Sequence, residues 1–125
     1  MDKRKTAPMG MVGLGNMGLP IALNLIKTGR GPVYGYDVVP AARKRFGASG
    51  GLSCDTAEEL FQSCRVVFFS LPTNDLVREN LERAVRRCPE GAVLVDTSSS
   101  IPEVIEGRAA AAAARLEAQG PRPDV

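Results

Sequence analysis

Residues 9–20 read Met9-Gly10-Met11-Val12-Gly13-Leu14-Gly15-Asn16-Met17-Gly18-Leu19-Pro20, an apolar run of strand length that leads directly into a Gly-x-Gly-x-x-Gly motif. The motif in turn opens a segment with helical periodicity, and this context makes it more specific than the glycine spacing alone. The three glycines are expected to act differently, since Gly13 permits a tight turn, Gly15 lets a pyrophosphate approach the backbone, and Gly18 lets the helix pack on the strand. The segment predicts a dinucleotide-binding turn, and a glycine-rich turn without a ligand is the alternative.

Apolar runs and helical segments alternate along the rest of the chain. Strands are predicted at 9–13, 33–36, 66–71 and 92–95, with a short and weak one near 52–54, and helices at 16–29, 40–47, 56–64, 73–88 and 101–119. Such alternation is typical of a parallel sheet with helices on both faces. We therefore predict an α/β fold, a Rossmann-type doubly wound parallel sheet of five strands in the order 3-2-1-4-5.

Several helix boundaries have local chemical signals. Thr56-x-x-Glu59 and Ser100-x-x-Glu103 fit the capping box, which marks a helix start. In the predicted helix 73–88, one apolar face is expected to contain Leu76, Leu81, Ala84, Val85 and Cys88, with the charged residues mainly toward solvent.

Asp37 ends the second predicted strand, where a dinucleotide fold places an acid against a ribose 2′-hydroxyl. A carboxylate there favours NAD because it repels the 2′-phosphate of NADP. Arg43, Lys44 and Arg45 nevertheless follow closely enough to attract such a phosphate, so NADP is the alternative cofactor. A turn or cap residue before Pro40 is the alternative interpretation of Asp37.

Two other strand ends carry polar residues at the edge of the sheet where α/β proteins bind ligands. One is Leu71-Pro72-Thr73-Asn74-Asp75, and the other is Asp96-Thr97-Ser98-Ser99-Ser100. These side chains could contact a cofactor, or they could merely cap the helices that follow. The residues alone leave both interpretations open.

Composition narrows the class of protein further. The chain has 125 residues, 44% of them hydrophobic, with a net charge of +2 and no histidine, which indicates one compact soluble domain. Scattered arginines and short apolar runs give no reason to expect a nucleic-acid or membrane partner. Three cysteines without a Cys-x-x-Cys pair make a metal site unexpected. The odd cysteine count and the lack of a secretory signal favour the cytoplasm, or the mitochondrion if a presequence is missing here.

Together these motifs resemble those of the β-hydroxyacid dehydrogenases, most closely the 3-hydroxyisobutyrate-dehydrogenase-like members. The matching segments are 13–20, Asn24-Leu25, Tyr36-Asp37, Leu71-Pro72-Thr73, and Asp96-Thr97-Ser98-Ser99 with Pro102. The resemblance implies an NAD(P)-binding domain over residues 8–119 with tails at 1–7 and 120–125. It implies a cofactor site with the pyrophosphate on Gly13, Leu14, Gly15, Asn16, Met17 and Gly18, the adenosine ribose on Asp37, the nicotinamide side on Leu71, Pro72, Thr73 and Asn74, and a further contact from Ser99.

The same resemblance indicates departures after the fifth strand. Members of that family continue into a sixth strand, a substrate loop, a helix with the catalytic lysine and a helical domain. Here the chain passes into Gly120-Pro121-Arg122-Pro123-Asp124-Val125, and proline blocks ladder pairing. We therefore expect a truncated cofactor domain without the sixth edge strand and with no catalytic residue, which binds the dinucleotide of a small-β-hydroxy-acid oxidoreductase but does not turn over alone.

Two alternatives follow from these departures. One is a non-catalytic, dinucleotide-responsive or partner-binding module, and the other is an unstable fragment. In the first case the exposed edge strand from Ala92 to Thr97 would be covered by self-association, because an unpaired strand edge is a ready template for another chain.

Overall fold

The computed structural model describes residues 7–98 and the backbone of residues 103–105. The strands are β1 (Met9–Val12), β2 (Val33–Tyr36), β3 (Leu52–Ser53), β4 (Val66–Phe69), β5 (Val93–Asp96) and β6 (Glu103–Ile105), and the helices are α1 (Gly18–Thr28), α2 (Pro40–Ala48), α3 (Ala57–Ser63) and α4 (Asn74–Arg87). No helix within 7–98 is both long and apolar enough to cross a membrane.

The strands form one sheet in the order β3-β2-β1-β4-β5-β6, and the first five are parallel. The predicted Rossmann-type parallel sheet and its 3-2-1-4-5 order are therefore confirmed. The central strand β1 pairs with β2 on one side and β4 on the other, with Met9 opposite both Val33 and Val66. This arrangement brings the carboxyl ends of β1, β2 and β4 to one edge of the sheet.

The outer edge of β5 differs from the prediction. Strand β6 pairs with it antiparallel, with Leu94 opposite Ile105 and Asp96 opposite Glu103. The five-strand prediction did not include this strand, and the predicted helix is wrong at 103–105. The family's sixth strand, predicted to be missing after residue 119, falls outside the described residues. An antiparallel strand needs only a short return connection, whereas a parallel one would need a long crossover. The exposed edge on which the self-association prediction depended is paired, and the other residues of the predicted 101–119 helix lie outside the described part.

Both faces of the sheet are covered, which explains why the strands are apolar without alternation. One buried cluster lies under α3 and α4 and includes Phe61 and Phe69. The second lies under α1 and α2 and includes Phe46. A Cβ on Gly35 would lie 2.5 Å from the Phe46 ring, so a glycine in β2 is what admits this side chain.

Two helix starts, those of α3 and α4, follow local capping signals, whereas Glu103 of the predicted Ser100-x-x-Glu103 box lies in strand β6. Thr56 Oγ1 accepts from Glu59 N at 3.2 Å, and Glu59 Oε2 accepts from Asp55 N at 3.3 Å. The first bond is the predicted half of the capping box, while the second falls one residue earlier than predicted. Helix α4 begins in the same way, because Thr73 Oγ1 accepts from Leu76 N at 3.2 Å.

The buried face of α4 is rotated relative to the predicted one. Val77, Leu81 and Ala84 are buried, at spacings of four and three residues, whereas Leu76 is 38% exposed. The expectation that Leu76 packs in the core is wrong, because the helix turns its Val77 stripe toward the sheet. Leu76 consequently lies at the rim of the cleft described below.

Candidate functional site

Two glycines of the first loop are demanded by the packing of the protein itself. Gly13 has φ +101°, and a Cβ there would lie 2.0 Å from the carbonyl oxygen of Ser70. A Cβ on Gly18 would lie 1.9 Å from the Gly13 carbonyl oxygen. Because both obstacles are backbone atoms, the turn and the start of α1 can close only around glycine.

Gly15 is different, because a Cβ at this position would meet no atom within 4 Å. The protein's own packing therefore does not require a glycine here. The unfilled space lies just before the first turn of α1, whose backbone N–H groups favour an anion. This is the geometry expected if a phosphate group approaches the backbone at Gly15.

Asp37 ties the glycine loop to the end of β2. Its Oδ2 accepts from Leu14 N and its Oδ1 accepts from Val39 N, each at 2.8 Å. The bond to Val39 shows that Asp37 stabilises a turn, which was the alternative interpretation of this residue. The bond to Leu14 links segments 23 residues apart. Each carboxylate oxygen keeps a second lone pair, so the residue can still accept from a sugar hydroxyl.

These segments border one cleft of about 640 Å³. Its lining includes Val12, Gly13, Gly15, Asn16, Met17, Tyr36, Asp37, Val38, Val39, Ser70, Leu71, Pro72, Leu76, Glu79, Asn80, Arg83 and Ser98. Seven of the predicted cofactor residues are thus brought together, namely Gly13, Gly15, Asn16, Met17, Asp37, Leu71 and Pro72. A cleft of this volume is within the range that small-molecule sites occupy.

The other predicted cofactor residues that the structure describes do not line the cleft. Leu14 is fully buried in the core and offers only its backbone N–H, to Asp37. Gly18 is buried beneath the loop, and Thr73 caps α4, at whose first position Asn74 lies. Ser99 lies outside the described residues.

Ser98, the neighbour of Ser99, is part of the lining and fastens two strand ends together. Its Oγ accepts from Leu71 N at 2.9 Å, and its backbone N–H donates to Asp96 Oδ1 at 2.8 Å. The predicted loop after β4 and the predicted hydroxyl run after β5 are therefore in direct contact. The side chain of Ser98 therefore helps to fix where Leu71 lies in the cleft.

The sequence interpretation missed the wall formed by α4. Leu76, Glu79, Asn80 and Arg83 line the cleft from this helix, and their spacings of three, four and seven residues place them on one helical face. This helical spacing is the one sequence signal that could have indicated the wall. From the sequence alone, however, Leu76 is assigned to the core and the charged residues to the solvent-exposed face. Val38 and Val39, which are 78% and 50% exposed, supply apolar surface beside Asp37.

Two arginines near the cleft already have partners. Arg83 Nε donates to Glu58 Oε2 at 2.8 Å, with a second bond from Nη2, and these bonds hold the pKa of the Glu58 carboxyl below its ordinary value. Arg43 Nη1 donates to the Asp37 carbonyl oxygen at 2.7 Å, and its guanidinium lies 5.7 Å from the centre of the Tyr36 ring. Both guanidinium groups are thereby held in place.

A glycine turn at a helix N-terminus, an acid after β2 and a cleft at the carboxyl edge of a parallel sheet define a nucleotide-binding domain of the Rossmann class. Within that class, residues 8–118 match the family model of the NAD binding domain of 6-phosphogluconate dehydrogenase, and the chain belongs to this family.

Individual relatives support the same assignment. Human mitochondrial 3-hydroxyisobutyrate dehydrogenase is 34% identical over 100 residues, which cover 78% of this chain and 30% of the relative. The 2-(hydroxymethyl)glutarate dehydrogenase of Eubacterium barkeri is 33% identical over 101 residues, covering 78% and 33%. A structure of the Mycobacterium tuberculosis 3-hydroxyisobutyrate dehydrogenase with L-serine has a TM-score of 0.70 at 29% identity, covering 74% and 31%. The predicted resemblance is confirmed, and the chain spans about a third of the length of these relatives.

Proposed function

We propose that this chain binds NAD in the cleft beneath Gly15 and Asp37. The observation that carries the proposal is the open space at Gly15, because nothing in the protein explains a glycine there. The pyrophosphate would lie over 13–17 at the N-terminus of α1. The adenosine ribose would then meet Asp37, and the nicotinamide side would extend toward Leu71 and Pro72.

The preference for NAD over NADP follows from charge at the end of β2. The carboxylate of Asp37 is held at the cleft by two backbone N–H groups, and a 2′-phosphate would bring further negative charge beside it. The lining contains Arg83, but its guanidinium is paired with Glu58. Arg43 is engaged by the Asp37 carbonyl and Tyr36, so neither arginine is arranged around an empty phosphate site.

The remaining predicted contacts belong to the same proposal. Thr73 and Asn74 would act through the turn that places Leu71 and Pro72, and Leu14 and Gly18 through the shape of the glycine loop. Ser99 would add a hydroxyl beside the neighbouring Ser98. The domain that holds these residues is proposed to span 8–119, in a protein of the cytoplasm.

The wider role proposed for this domain is that of the cofactor unit of an oxidoreductase acting on a small β-hydroxy acid. The names of the relatives support it, since both are dehydrogenases of small hydroxylated acids. A bound nicotinamide supplies the hydride acceptor. The residues of this chain would bind and orient that cofactor.

Isothermal titration of the whole 125-residue chain with NAD and NADP tests this function. We expect saturable binding with NAD preferred, and loss of binding in Gly15→Asp, which places a carboxylate where the pyrophosphate would lie. A thermal melt of both proteins controls for folding. A cooperative melt of the wild-type chain without binding of either dinucleotide would refute the proposal.

Substitution of Asp37 tests the cofactor preference separately. Asp37→Asn removes the charge but keeps one oxygen, and we expect the ratio of NADP affinity to NAD affinity to rise about tenfold, the equivalent of about 1.4 kcal/mol. The ratio is informative because any loosening of the loop at Leu14 weakens both dinucleotides alike. An unchanged ratio would contradict the role assigned to Asp37.

A further inference from the structure

Asn80 is the one polar side chain that is buried within the described part of the chain, with 9% of its surface exposed. It lies on α4 next to the Val77 and Leu81 stripe, yet it also lines the cleft. A buried amide at the wall of a cleft therefore calls for a hydrogen-bonding explanation.

The orientation of this amide is fixed by its own helix. Asn80 Nδ2 donates to the carbonyl oxygen of Leu76 at 2.8 Å. Rotation of the amide by 180° would place Oδ1 against that carbonyl oxygen, two acceptors facing each other. Within 7–98, no donor reaches Oδ1, and one hydrogen of Nδ2 is likewise uncommitted. The Asn80 amide thus offers Oδ1 as an acceptor and Nδ2 as a donor, and the bond to Leu76 fixes which side of the amide each occupies.

The surroundings of Asn80 suit a flat, largely apolar ligand. Val38 and Val39 face the cleft beside Asp37, and Leu76 lies one turn before Asn80 on α4. If Asp37 holds a ribose, the base attached to that ribose enters the space between these apolar groups and α4. The base is then the part of the dinucleotide that Asn80 can meet.

We propose that Asn80 is the residue that selects adenine in this cleft. Its Oδ1 accepts from the 6-amino group, and its second Nδ2 hydrogen donates to the neighbouring ring nitrogen, the bidentate pairing that asparagine makes with adenine elsewhere. Hypoxanthine carries an oxygen in place of that amino group, which would oppose Oδ1. This inference rests on the proposed NAD site and adds the group that reads the base.

The test compares NAD with nicotinamide hypoxanthine dinucleotide by isothermal titration of the whole chain. We expect the wild-type chain to bind NAD about tenfold more tightly, the effect of one matched rather than opposed hydrogen bond. Asn80→Leu keeps the volume and the apolar fit but removes the amide, so it should bind both dinucleotides alike. Glu82→Gln, an exposed position on the same helix, is the matched control and should keep the tenfold preference.

Each outcome is decisive. Equal binding of the two dinucleotides by the wild-type chain, or a preference that persists in Asn80→Leu, overturns the role of Asn80 and leaves the NAD site intact. Binding of neither dinucleotide by a wild-type chain that melts cooperatively overturns the site itself, and the inference with it. A melt of Asn80→Leu at the wild-type temperature confirms that its lost discrimination is local.

Discussion

Gly15 and Gly18 belong to the same motif but are expected to respond in opposite ways to alanine. The Cβ of Gly18→Ala would lie 1.9 Å from the Gly13 carbonyl oxygen, about 1.1 Å short of the 3.0 Å that such contacts keep. The obstacle is backbone, so α1 must shift away from the loop. The Cβ of Gly15→Ala meets no atom within 4 Å, and Gly15 has no positive φ that would strain it.

The magnitudes follow from these distances. Overpacking against fixed atoms costs about 1–3 kcal/mol, of which the better helix propensity of alanine returns at most about 1 kcal/mol. Gly18→Ala should therefore lose about 1–2 kcal/mol, or roughly 4–8 °C in Tm for a domain of this size. Gly15→Ala should keep its stability or gain about 0.4–1 kcal/mol, because alanine restricts the unfolded chain.

Thermal unfolding followed by circular dichroism, with NAD titration of the same samples, separates the two effects. Gly15→Ala should melt at or above the wild-type temperature and yet bind NAD more than tenfold less tightly, because its methyl group occupies the phosphate space. If Gly15→Ala instead binds NAD as the wild-type chain does, the open space is not a ligand site. A Gly18→Ala protein as stable as the wild type would refute the packing argument.

Three further perturbations test the framework around the cleft. Thr73→Ala removes the α4 cap and should lower the free energy of unfolding by about 1 kcal/mol, with Thr73→Ser restoring it in a urea titration. Glu58→Gln should cost less than about 1 kcal/mol near neutral pH. Because Arg83 holds the folded-state pKa of Glu58 below 4.5, this difference should be fully present above that pH and vanish as the pH falls further; a difference that persists at pH 2 would contradict the pairing. Burial raises the pKa of Cys54 to about 11 and that of Cys64 further, so a thiol reagent at pH 8 should modify these two residues only on unfolding. Cys88 is only partly buried, so the labelled sites are located by peptide mass spectrometry, and prompt labelling of Cys54 or Cys64 in the native protein would show that the core is open.

Most of the helices and strands, and their order in the sheet, could be predicted because the sequence signals that specify them act over a few residues. The Gly13–Gly18 motif, the apolar runs and the Thr56 cap each act within a few residues, where backbone conformation and neighbouring hydrogen bonds set the outcome. The alternation of these elements then allows very few topologies, since parallel crossovers are right-handed and consecutive strands tend to be adjacent. The same reasoning places Asp37 beside the glycine loop.

The prediction failed where several elements had to meet. Strand β6 depends on the free edge of β5, which outweighed a local helix signal at Glu103. The Arg83–Glu58 pair joins residues 25 apart, and the contact of Ser98 with Leu71 joins residues 27 apart. These partners follow from how α3, α4 and the strand ends approach one another.

Asn80 shows most clearly which properties the sequence determines and which depend on the tertiary structure. Its spacing along α4 indicates only that it lies near the buried face, and nothing in the sequence tells whether that position meets the core or the cleft. The rotation of α4 on the sheet settles this, because it buries Val77 and turns Leu76 and Asn80 toward the cleft. Local propensity selects the helices and strands of this chain, whereas the packing of α4 on the sheet, a property of many distant contacts together, sets which side chains face the ligand.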